Sequence, residues 1–106
     1  MTAIDPVGDL RLAREFMATP IGHHSPDLQR LLRRFRGEPV KGKYALLTTK
    51  PNRAWMLIEL SGEKGVPFTP HPEAVFTDLA EAERAVFRLR WKRHTGHDLV
   101  LDGDDP

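Results

Sequence analysis

Apolar residues recur along this chain first with a helical period, then with a strand period, then with a helical period again. The sharpest helical stretch is Leu28, Leu31, Leu32 and Phe35, spaced i, i+3, i+4 and i+7, with Arg30, Arg33, Arg34 and Arg36 on the flanks and opposite face. Ser25 suits the N-cap and Pro26 the first helical position, so a helix is predicted over 26–36. Gly37 is read as a left-handed stop, and Pro39 prevents resumption. An earlier helix is predicted over about 9–18, with Leu10, Ala13, Phe16 and Met17 on its apolar side and Pro20 beyond its end. Asp5 followed by Pro6 offers a competing start to Asp9.

From Lys43 the alternation becomes that of a strand, with Tyr44, Leu46 and Thr48 on one face and Ala45, Leu47 and Thr49 on the other. Lys50 to Arg53 reads as a turn and Trp55 to Leu60 as a second strand, so 43–60 is predicted to be a hairpin. Residues 66–76 carry Pro67, Pro70 and Pro72, which cannot donate to a ladder; a third strand here must lie at an edge or be broken. A last helix is predicted over 79–94. Asp78 and Glu81 have the spacing of a capping box, and Gly96 stands just past the far end. Leu79, Ala82, Ala85, Val86 and Leu89 form one apolar arc suited to a small sheet. Phe87 and Trp91 form a second strip, which one small sheet does not cover and which is therefore expected to face outward. Leu99 and Leu101 suggest a short docking segment.

These elements predict an α+β domain: two N-terminal helices, a two- to three-stranded antiparallel sheet and a covering helix, in a single domain over 1–97 with an acidic, disordered tail over 98–106. A chain of 106 residues with 40% hydrophobic residues has room for one core. It has no cysteine, which excludes disulfides and thiolate chemistry and makes a cytoplasmic setting the expectation. No positive start with an apolar run, and no apolar run of spanning length, points to a signal peptide or the membrane. The net charge is +1, but with four aspartates in the last nine residues, residues 1–97 carry +5. That excess, largely arginine on two helices, suits an acidic partner.

Candidate chemistry is sparse. His23 and His24 are adjacent, His94 and His97 have ligand-like spacing and His71 sits among prolines, yet no recognised metal-ligand spacing joins them, so solvent-facing or capping roles are expected. Among the carboxylates Glu59, Glu63, Glu81 and Glu83, Glu81 is accounted for by capping, Glu63 by a turn and Glu59 by pairing with an arginine. No nucleophile elbow and no phosphate-binding glycine loop occurs, so no catalytic residue is assigned. A basic helix extended by Lys41 and Lys43 permits a nucleic-acid-binding module that uses the sheet and this helix. An isoelectric point of about 8.2 and the acidic tail argue against it.

The run His24-Ser25-Pro26-Asp27-Leu28-Gln29-Arg30, followed by Gly42-Lys43-Tyr44, Trp55, the Gly62 to Pro67 turn, Phe76-Thr77 and the Glu83 to Arg88 piece of the last helix, resembles the small (alpha) subunit of N,N-dimethylformamidase and related small proteins over residues 18–95. The resemblance implies a non-catalytic accessory subunit packed on a large amidohydrolase subunit. Iron would then sit on that partner, with no cofactor on this chain. His24, Gln29, Arg30, Arg33, Tyr44, Trp55, Phe87 and Trp91 are the expected partner contacts, since arginine and exposed aromatics anchor interfaces. Homo-oligomerisation through Phe87 and Trp91 is the other use of that strip.

Overall fold

The computed structural model describes residue 5 and residues 7–37 and 41–101. The described elements, in order, are α1 (Leu10–Ala18), α2 (Pro26–Arg36), β1 (Tyr44–Lys50), β2 (Ala54–Glu59), β3 (Thr69–Phe76) and α3 (Leu79–Thr95). The strands make an antiparallel sheet in the order β1-β2-β3. This is the α+β arrangement that the periodicities predict, with β3 at an edge.

Local signals account for most element ends. Ser25 is the N-cap of α2, its Oγ accepting from the Leu28 amide at 3.2 Å with Pro26 next in line. Gly37 ends α2 in the right-handed region (φ −81°), so the expected left-handed stop does not form; its amide instead caps the Arg33 carbonyl, continuing the helical turn. Pro39, Pro6 and the acidic residues 102–106 lie outside the described residues. Gly96 does adopt the left-handed conformation (φ 78°) and closes α3. At the other end of α3, Asp78 Oδ1 accepts from the Ala80 amide at 2.9 Å, but Glu81 turns outward to Arg84, so half of the predicted capping box is made. Asp9 precedes α1 without capping it, because its carboxylate accepts from the Asp5 amide at 2.9 Å. Gly62 is needed for a second reason besides its φ of 71°: a Cβ there would stand 2.6 Å from the Lys41 backbone nitrogen.

α3 is the middle layer. Ala82 and Val86 are buried along the arc that faces the sheet. Phe87 and Trp91 lie on the other arc and are 2% and 1% exposed, in one cluster with Leu12, Ala13, Phe16, Leu28, Leu31, Phe35, Leu99 and Leu101. The expectation of an outward-facing aromatic strip is therefore corrected. The N-terminal helices, rather than the sheet, cover it, and Phe87 stacks on Phe16 at 4.4 Å while Phe35 meets it edge-on at 5.3 Å. A homo-oligomer built on this strip is ruled out by the same burial. Leu99 and Leu101 dock as the alternation suggested, and Arg88 fastens them by donating to the Leu99 carbonyl at 2.9 Å.

Truncating Trp91 leaves a large void between layers. Trp91→Ala is expected to destabilise the chain by about 3–5 kcal/mol, read as a shifted urea midpoint, whereas an interface role would leave the midpoint of the isolated chain unchanged.

Candidate functional site

The His-Ser-Pro run forms a joint between the first two helices. Ser25 sits there with both polar groups engaged: its hydroxyl donates to Glu15 Oε1 at 2.6 Å and its amide to Glu15 Oε2 at 2.7 Å. One carboxylate of α1 thus holds the cap of α2. The Ser25 hydroxyl bond, then the Ser25 amide, draws the Glu15 carboxyl below the ordinary glutamate value of 4.5, against a smaller opposing effect of desolvation. His24 donates through Nε2 to the Thr19 carbonyl at 2.9 Å, which fixes its tautomer, and its ring stacks on Phe16 at 5.6 Å. Gln29 reaches back to the His24 carbonyl at 2.8 Å. A hydrogen-bonded knot therefore closes α1 onto α2.

Beside the joint lies a half-open pocket of about 440 Å³ between the Pro20–His24 link, α2 and α3. Phe16, Leu32, Phe35, Val86 and Phe87 supply apolar wall, while His23, His24, Gln29, Arg36, Glu83 and Arg90 supply polar groups. Glu83 is the one acid among the described residues that line it. Burial raises its carboxyl above the usual glutamate range, with the neighbouring Arg90 charge pulling the other way. This arrangement sets a half-buried carboxyl beside a guanidinium. It brings no nucleophile to the carboxyl, and no second carboxylate from the described lining.

The remaining arginines of α3 work as backbone clamps. Arg84 donates to the Met17 carbonyl of α1 at 2.9 Å and Arg90 to the Tyr44 carbonyl of β1 at 2.9 Å. Arg93 lies 4.3 Å over the Tyr44 ring and bonds the Gly42 carbonyl. Lys43 donates to the Arg36 carbonyl at 2.7 Å, closing the far end of α2. Tyr44 is therefore placed by α3, and Trp55 by the sheet row Thr48, Trp55 and Phe76.

The expected contact residues divide into four groups. His24 and Gln29 meet in the joint, Tyr44 and Trp55 lie on the sheet, and Phe87 and Trp91 are inside the core. Arg30 and Arg33 stay on the exposed side of α2, Arg30 pairing with Asp27. Glu59 pairs with His71 at 3.1 Å rather than with an arginine, and Glu73 holds the other ring nitrogen at 3.3 Å. Among the described residues no group of three His, Cys, Asp or Glu side chains is arranged to hold a metal ion, so they do not fit an iron site. Nor is any described helix long and apolar enough to cross a membrane.

Comparison with protein families matches residues 2–99 to the N,N-dimethylformamidase alpha subunit. The chain belongs to that family. The match extends past the 18–95 stretch of the resemblance, taking in α1 and Leu99 of the core. No curated protein matches the chain. The matched stretch contains the His-Ser-Pro joint, and the structure shows how that joint works locally. Glu15, the clamps of α3 and the pocket position of Glu83 are what sequence reasoning missed; the nine residues between Glu15 and Ser25 carry no periodic signal that pairs them.

Because the Glu15 carboxyl is lowered on folding, its contribution is complete above its ordinary value of 4.5 and is lost as pH falls through the lower folded value. The stability gap between wild type and Glu15→Gln is thus expected to stay constant from pH 7 to about 5 and to close on further acidification. Urea melts at several pH values measure it. Ser25→Ala should lose about 1 kcal/mol from the cap alone and should reduce the same acid dependence.

Proposed function

We propose that this chain is the non-catalytic small subunit of an N,N-dimethylformamidase-like amidohydrolase complex, seated on a large subunit that carries the iron and the reacting groups. Membership of an alpha-subunit family is the observation that carries the reading. It is supported by the use to which the chemically capable side chains are put. Ser25, Glu15, His24 and Gln29 are engaged in joining helices, and four polar side chains of α3 reach carbonyls of other segments. Such a domain is a rigid wedge that can stabilise or shape a site on a partner.

The proposed contact surface includes Arg30 and Arg33 on α2 together with Tyr44 and Trp55 on the sheet. His24 and Gln29 sit at the mouth of the joint. Phe87 and Trp91 take no part, being enclosed. The alternative nucleic-acid module draws on Lys50 and Arg53, since Lys43 is committed to the Arg36 carbonyl; no observation favours it.

Co-expression with the large chain of the same organism is expected to yield a complex that hydrolyses N,N-dimethylformamide, with iron co-eluting with the large subunit after the two are separated. Arg33→Glu, an exposed charge reversal, should weaken assembly by about tenfold without lowering the melting temperature of the isolated small chain. Amide hydrolysis by the isolated small chain would refute the accessory role.

A further inference from the structure

The two edges of the sheet differ. β3 forms one edge, and Pro70 and Pro72 lie in it beside a register break between Met56 and Leu57. Where Pro70 pairs with Ile58, its outward position has no N–H to offer a neighbour. β1 forms the other edge and contains no proline. Leu60 donates to the Lys43 carbonyl at 2.9 Å, so by antiparallel alternation Ala45 and Leu47 bond to β2 while the peptide groups of Tyr44, Leu46 and Thr48 point away from it. The Tyr44 carbonyl is taken by Arg90. Among the described residues, nothing occupies those of Leu46 and Thr48.

Side chains on this edge also narrow the occupant. Leu47, Met56 and Val75 are in register across all three strands, on the face opposite Tyr44, and Leu47 and Val75 are 37% and 46% exposed. Residues 41–58 include Lys41, Lys43, Lys50 and Arg53 and no acidic residue. A second copy paired antiparallel through β1 would set the Lys41–Lys43 end of one chain beside the Lys50–Arg53 end of the other, joining like charges.

We propose that the free edge of β1 receives, as a fourth strand, an extended segment of the large subunit with acidic residues at its ends and an apolar residue beside Leu47. This inference rests on the small-subunit reading and names the surface through which it operates. Main-chain bonds from Leu46 and Thr48 supply register, and the basic ends select an acid-flanked strand over a copy of this chain.

Thr48→Pro tests it, because position 48 donates outward and its loss spares the bonds of β1 to β2. Each variant is co-expressed with the large chain, and assembly is followed by size-exclusion chromatography with light scattering. Wild type and Thr48→Ala are expected to assemble, and Thr48→Pro to bind at least about tenfold more weakly while keeping the wild-type melting temperature. Amide exchange on the wild-type complex gives a second readout that does not depend on the variant folding: Leu46 and Thr48 should become protected. If wild type assembles but these amides stay unprotected, or if Thr48→Pro assembles unchanged, the edge proposal is overturned and the small-subunit reading stands. If wild type does not assemble with the large chain, both fall. Self-association of the small chain that Thr48→Pro abolishes would assign the edge to a second copy and overturn the choice of partner.

Discussion

Everything in this domain is packed on one helix that is apolar on two sides. A helix with a single stripe needs a single partner layer; α3 needs two, the sheet against Ala82 and Val86 and the N-terminal helices against Phe87 and Trp91. Neither layer is self-sufficient. A small sheet depends on its hydrophobic face for stability, which here is covered by α3, and two short helices of 9 and 11 residues are below the length at which isolated helices persist. Their stability is thus held in common through α3, and the arginines along that helix add specificity by each meeting a particular carbonyl.

The placement of those arginines changes what a basic composition means. An excess of positive charge over residues 1–97 suggests an acidic partner, yet Arg84, Arg88, Arg90 and Arg93 reach the carbonyls of Met17, Leu99, Tyr44 and Gly42. Carbonyls at helix and strand ends lack intrasegment donors, and a guanidinium with several fixed donors satisfies them well. The surface that remains basic is smaller than the sequence implies: the outer side of α2 and the ends of β1.

Periodicity made the helices, the hairpin and the proline-bearing edge strand legible, because each is set by residues close together in sequence. Ser25, Asp78 and Gly96 could be assigned as caps for the same reason. What could not be read was which layer covers which face. The arc of Phe87 and Trp91 was plain, but its enclosure depends on the return of α1 and α2, and a helical wheel carries no such information. Gly37 shows the same limit locally: glycine permits the left-handed stop without requiring it, and the helix closes with a right-handed turn instead. At the joint, Ser25 was legible as a cap while its hold on Glu15 was not, since that contact crosses from one helix to the next.

The stacked rings of Phe16 and Phe87 come from positions 71 residues apart, near opposite ends of the chain. During synthesis α1 and α2 leave the ribosome well before the helix that covers them exists. Their apolar sides, Leu12, Phe16, Leu28, Leu31 and Phe35, must then wait uncovered until α3 emerges. Long-range closure of this kind slows folding and leaves the unfinished chain open to aggregation. The domain therefore closes only once α3 has emerged, which gives a waiting chaperone or a partner already assembled nearby a defined interval in which to act.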